Sequence, residues 1–164
     1  MPGLARTRED DRLNVTIAGS RRLPAGQAPR LLIRFLADLP DDACILLRKG
    51  AYTEPGRFER DVETLCSILR LDWEWVIPKP TDTTVGRASV YFRDIEMVER
   101  SDLVLLFFVP EEATDGYSGT AHLMEKALAA DRPVYAYSVD ENGKVERVGE
   151  YDPDNLFIER VPVP

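Results

Sequence analysis

Two short runs of small and polar residues have the composition of an anion cradle. Ala18-Gly-Ser-Arg-Arg22 and Gly116-Tyr-Ser-Gly-Thr-Ala-His122 each follow an apolar segment, and the second leads into a helical pattern from Leu123 to Ala130. Small residues at a strand-to-helix junction let backbone N–H groups come close to a ligand, and the helix N-terminus adds partial positive charge. In the first run Gly19 and Ser20 offer a close backbone pass and a hydroxyl, and Arg21 a permanently charged planar fork matched to phosphate. In the second, Ser118 and Thr120 bring hydroxyls that can cap the helix or meet a ligand, Gly119 admits close approach, and Tyr117 offers a ring for a base. His122, the single histidine, would serve in the first helical turn as a neutral donor or acceptor. Each run alone is equally well a tight connection in an α/β sheet, so the ligand reading rests on the two together.

Further candidates lie between these runs. Lys49-Gly-Ala-Tyr-Thr-Glu-Pro-Gly-Arg57 reads as a loop at the same end of the sheet, in which Gly50 permits a close pass and Arg57 opens a helix. Asp61, in that helix, is placed to accept a ribose hydroxyl or simply to complement the helix dipole. Arg93 and Asp94 fall on a later helix, where adjacent positions do not face each other, so one is expected toward the ligand and the other in solvent. Glu111 and Glu112 supply carboxylates just before the second run and are the candidate acids for any catalysis, with His122 assisting.

Several chemistries are excluded. There is no Gly-x-Gly-x-x-Gly fingerprint and no Gly-x-x-x-x-Gly-Lys-Ser/Thr loop, and no Ser-His-Asp or Cys-His order for a nucleophilic triad. One histidine cannot form a His-based metal cluster within a chain, and no carboxylate spacing suggests a metal, so neither metal nor cofactor is expected. Cys44, in an apolar strand pattern, and Cys66, on the apolar side of a helix, read as buried small hydrophobes.

The elements that must hold these residues alternate between strand and helix patterns, as in a parallel sheet wrapped by helices. Strands are predicted at Asn14 to Ala18, Cys44 to Leu47, Trp73 to Ile77, Leu103 to Val109 and Pro133 to Tyr137. The third has the alternation of an edge strand, and the fourth is apolar enough to be central. Helical spacing links Leu31, Leu32, Phe35, Leu36 and Leu39, then Phe58, Val62, Leu65, Cys66 and Leu69, then Ala88, Tyr91, Phe92, Ile95 and Val98. A fourth helix starts near Gly119. The expected fold is therefore α/β: a single Rossmann-like, doubly wound sheet of five parallel strands in the order 3-2-1-4-5. In that order strands one and four are neighbours, and both small-residue runs flank the crevice at their carboxyl ends. Glu141-Asn-Gly143, followed by Val145 and Val148, suggests a small C-terminal hairpin. The domain is expected over residues 13–139, with a polar, partly disordered extension at 1–12 and a C-terminal extension at 140–164 packed on it.

A length of 164 residues suits one domain. With a net charge of -8 and Lys and Arg dispersed rather than striped, double-stranded nucleic acid is not the expected partner, and a small molecule fits better. No apolar run is long enough for a membrane helix and no signal peptide is visible, so a cytoplasmic protein without a membrane partner is expected.

Ile17-Ala-Gly-Ser-Arg21, Arg93 ahead of Ser101-Asp-Leu-Val-Leu-Leu106, and Gly119-Thr-Ala-His122 followed by Ala127 and Arg132-Pro-Val-Tyr135 resemble the SLOG superfamily. That group includes the LOG enzymes, the DNA-processing protein DprA and small YspA-like proteins. The resemblance spans residues 14–138 and implies a Rossmann-like domain that binds nucleotides or their derivatives, with Gly19, Ser20, Arg21, Gly119 and Thr120 forming the pocket. LOG hydrolases carry Pro-Gly-Gly-x-Gly-Thr followed by two glutamates, whereas this chain has Tyr117-Ser118 before Gly119 and His122-Leu123 where the acids belong. Asp102-Leu-Val-Leu-Leu106 is also similar to the nucleoside 2-deoxyribosyltransferases, but Leu123 falls at their nucleophilic glutamate. Glu125 is two residues away, about 200° around the helix. The expectation is a sensor or binding module for a nucleotide or nucleoside-derived small molecule, assembled as a homodimer. The alternatives are an N-glycosidic bond enzyme, hydrolase or transferase, and an interaction protein with a non-functional pocket.

Overall fold

In a computed structural model of the chain, residues 12–50, 53–79, 87–115 and 119–148 are described. Six strands form one sheet: β1 (Asn14–Gly19), β2 (Cys44–Arg48), β3 (Asp72–Val76), β4 (Leu103–Phe108), β5 (Val134–Val139) and β6 (Val145–Val148). Their order is β3-β2-β1-β4-β5-β6. The first five are parallel, and β6 runs antiparallel to β5. The strand order expected from the sequence is the one observed.

Among the described residues, two long helices cover each face. α1 (Gln27–Ala37) packs on α2 (Arg57–Leu69), and α3 (Arg87–Arg100) packs on α5 (Gly119–Ala129). The strands divide their side chains between these layers by simple alternation. Leu103, Leu105 and Phe107 enter the core under α1 and α2 with Val15, Ile17, Phe35 and Val62. Val104, Leu106 and Phe108 enter the other, with Ala18, Met97, Val98, Leu123 and Ala127. β4 is buried along its whole length, as its unbroken apolar run requires. β3 is the outer strand, with Asp72 and Glu74 exposed while Trp73 and Trp75 lean on the first core.

The structure adds two elements to this scheme. Pro110–Asp115 is a short helix, α4, where the sequence reading had only a connection carrying Glu111 and Glu112. Proline at its first position needs no backbone donor, and both glutamates fall in its first turn, where they complement the dipole. The small C-terminal hairpin expected around Glu141-Asn-Gly143 uses β5 as its first strand. Asp140 organises the turn: its carboxylate accepts from the N–H groups of Asn142 and Lys144 at 2.8 and 2.9 Å. Gly143 takes φ +82°, a conformation glycine adopts without strain. β6 thereby becomes the sixth strand of the main sheet.

Cys44 and Cys66 are both buried free thiols. Burial pushes the Cys66 thiol up to about 12, and it raises Cys44 as well. Neither is a nucleophile near neutral pH. The expected extensions at 1–11 and 149–164 lie outside the described residues. No described helix is long and apolar enough to cross a membrane.

Candidate functional site

The sheet order brings the carboxyl ends of β1, β2 and β4 together, and a crevice of about 480 Å³ opens there. Five basic side chains line it, Arg21, Arg22, Arg48, Lys49 and Arg93, against the two carboxylates of Glu59 and Glu112. In a chain of net charge -8 this is a local reversal of sign. Low-dielectric walls concentrate such a field toward an anion.

The floor is built by a buried ion pair. Arg48, the last residue of β2, donates from Nε to Glu59 Oε1 at 3.3 Å, and from Nη2 to the Gly19 carbonyl and to Thr120 Oγ1, each at 2.8 Å. Glu59 is 2% exposed and also accepts the Gly19 N–H at 2.8 Å. One guanidinium therefore ties the end of β1 to the start of α5, with α2 supplying the counter-charge. Neither Arg48 nor Glu59 was among the residues picked out from sequence. Glu59 did carry a signal: it lies one position from Phe58 and three from Val62, inside the apolar stripe of α2, where an unpaired carboxylate is costly. Arg48 carried none beyond ending an apolar strand.

A second buried group stands beside the first. Arg93 donates from Nε and Nη2 to Asp94 Oδ1 at 3.1 and 2.9 Å, and from Nη1 to the Lys49 carbonyl at 3.2 Å. The other oxygen of Asp94 meets His122 Nδ1 at 2.8 Å, and the Tyr91 ring lies against the imidazole with centroids 4.4 Å apart. The expectation that one of Arg93 and Asp94 would face solvent is corrected. Both are buried, because the long arginine stem lets its fork turn back onto the neighbouring carboxylate. His122 does not line the crevice; it joins α5 to α3 through Asp94.

Of the other residues picked out from sequence, Ser20, Arg21, Gly50, Glu112, Gly119 and Thr120 line the crevice with Arg93. Ser20 Oγ donates to Glu112 Oε1 and accepts the Arg22 N–H at 3.0 Å, while Arg21 Nη2 reaches the Glu54 carbonyl at 3.3 Å. Gly19 has another task than the expected approach to a ligand. Its N–H is held by Glu59, and a Cβ there would stand 2.5 Å from the Phe58 ring, so glycine is required by packing. Arg57 and Asp61 do not line the crevice either. Each is two positions from Glu59, which takes the inward place on α2, and two positions carry a side chain about 200° around a helix. Glu111 faces away, pairing with Arg22 at 3.7 Å and lining a separate cleft with Asp140 and Glu141. Tyr117 and Ser118 lie outside the described residues. Among the described residues, no group of three or more His, Cys, Asp or Glu side chains is arranged to hold a metal ion.

No family model matches the chain, and no curated protein matches it in sequence. Solved structures do match. DNA processing protein A (DprA) from Streptococcus pneumoniae superposes with a TM-score of 0.53 at 13% identity, covering 76% of this chain and 50% of that one. The chain thus spans about half the length of that protein. DprA from Helicobacter pylori, whose structure is described for its single-stranded DNA binding mode, gives a TM-score of 0.49 at 16% identity, covering 90% of this chain and 72% of that one. The expectation of a small-molecule partner, with double-stranded nucleic acid set aside, is corrected: a DNA-processing protein has this fold. The physical reason is that dispersion of Lys and Arg along a sequence does not describe their placement in space: five basic side chains from three separate places in the chain meet at one crevice. The architecture and the strand order give this chain a Rossmann-like α/β fold similar to that of the Streptococcus pneumoniae DprA.

Proposed function

We propose that the chain binds nucleotide units of a single-stranded nucleic acid, with phosphate held in the crevice between β1, β2 and β4. The observation that carries this reading is the set of five basic side chains facing two carboxylates in an otherwise acidic protein. Arg21 and Arg22 stand at the rim, open to a backbone that passes across it, while Arg48 and Arg93 are held inside by internal partners. Backbone phosphates are recognised in this way without reading sequence, and such binding weakens steeply with salt. Single strands, which leave bases free of a duplex, suit a crevice of this size better than a duplex surface. DprA, with the same fold, is a DNA-processing protein, which supports the partner class. The role assigned is binding, and no bond-breaking step is assigned to Glu111, Glu112 or His122.

Fluorescence anisotropy with a labelled oligothymidylate over a range of salt concentrations tests this reading. Binding is expected to weaken with salt, and the Arg21→Ala, Arg22→Ala double variant to bind less tightly with a log–log salt slope shallower by about 0.7 for each arginine. No binding at low salt, or a slope indifferent to both substitutions, would overturn it.

A further inference from the structure

We propose that Arg48, fixed at the crevice floor by Glu59, Gly19 and Thr120, is an anion-binding residue that meets a phosphate through its Nη1. This rests on the reading of the crevice as a phosphate site and names a residue that would make it one. The guanidinium presents five N–H donors. Nε is used by Glu59, and both hydrogens of Nη2 by the Gly19 carbonyl and Thr120 Oγ1. Nη1 has no hydrogen-bond partner among the described residues, although the side chain is only 14% exposed and lines the crevice. Nη1 is not buried away from solvent, so its N–H groups are open to an acceptor that enters the crevice.

The placement of that nitrogen identifies the acceptor as an anion. Nη1 stands 3.1 Å from where a Gly119 Cβ would be, at the start of α5. A cation beside a helix N-terminus is opposed by the dipole, whereas an anion between the two is attracted by both. A phosphate oxygen has the charge and the lone pairs to accept a charge-assisted hydrogen bond from an Nη1 N–H. Gly119 leaves the approach open, since any side chain there would press on Nη1. Glu59 does not cancel the site, because it lies on the Nε side of the fork and holds the plane in place. It is a positioning residue for Arg48.

The test follows the Nε–Hε resonance of Arg48 by 15N NMR while inorganic phosphate is added, with sodium chloride at matched ionic strength as the control. Oligothymidylate anisotropy runs in parallel on wild type and on the Arg48→Met, Glu59→Gln double variant. The double substitution avoids a buried unpaired carboxylate and keeps an acceptor for the Gly19 N–H, and circular dichroism checks that it folds. Phosphate is expected to move the Arg48 resonance where chloride does not. The double variant is expected to bind the oligonucleotide roughly tenfold more weakly, as loss of a charge-assisted pair implies, with a salt slope shallower by about 0.7. If the oligonucleotide binds wild type while phosphate leaves Arg48 unmoved and the folded double variant binds equally well, the assignment of Arg48 is wrong and the crevice reading stands. A moved Arg48 resonance with no oligonucleotide binding supports the anion site and overturns the nucleic-acid partner. No response in either arm overturns both.

Discussion

The two ends of the central sheet treat buried polar groups in opposite ways. At the amino end the groups close on one another. The Asn14 N–H donates to Asp102 Oδ2 at 2.9 Å, its side-chain amide to the Arg100 carbonyl at 3.1 Å, and Ser101 Oγ lies 2.6 Å from both Thr16 Oγ1 and the Met97 carbonyl. At the carboxyl end the groups carry charge, and one is left with donors to spare: Nη1 of Arg48, in a crevice whose charged lining is mostly cationic. A closed network holds β1, α3 and β4 in register. An open, charged one is poised for something outside the chain.

Breaking each end in turn should separate structure from binding. The largest effect is expected from Glu59→Ala, which strands the Arg48 guanidinium and removes the acceptor of the Gly19 N–H. Urea denaturation should show a loss of about 3–5 kcal/mol, and a loss within the range of about 0–1 kcal/mol typical of exposed pairs would mean that the pair is more hydrated than its burial implies. Asp102→Ala, at the opposite end, removes the acceptor of the Asn14 N–H and should cost about 1–3 kcal/mol. Oligonucleotide affinity measured well below the unfolding transition should not change. If it falls as it does for Arg21→Ala, the division between the two ends is false.

The smallest effect belongs to the outer strand. The hydrogen bond from Arg100, at 2.6 and 3.0 Å, holds the Glu74 carboxyl below its ordinary 4.5. A depressed value in the fold contributes stability above the unfolded pKa and loses it as pH falls through the folded one. Both side chains are about a third or more exposed, so Glu74→Gln should cost no more than about 1 kcal/mol at neutral pH. The difference from wild type should vanish in acid. A gap that persists once the Glu74 carboxyl is protonated in the folded and the unfolded state would show that packing, not charge, is what the glutamate contributes.

Much of the scaffold was legible in the chain. The unbroken apolar run of β4, the helical spacing of α1 and α2, and the small residues after β1 were enough to place five parallel strands and a crevice between β1 and β4. The short α4 was not legible, because six residues give too little periodicity to distinguish a helical turn from a loop. Among the site residues, Ser20, Arg21 and Thr120 could be picked out because glycine, hydroxyl and arginine cluster in adjacent positions. Arg57 and Asp61 were picked out in place of Glu59 because charge on an exposed helical turn is easier to notice than charge inside the apolar stripe.

Local sequence by itself determined which segments are strands, which are helices, which faces are apolar and where the chain turns, since these depend on neighbours within a few residues. Tertiary structure alone decided that Arg48, Glu59 and Thr120, which no motif connects, would share one guanidinium. It also decided that the dispersed basic residues of an acidic chain would converge on one crevice. Electrostatic fields depend on distance through space, and only the sheet order converts positions far apart in sequence into neighbours a few ångströms apart.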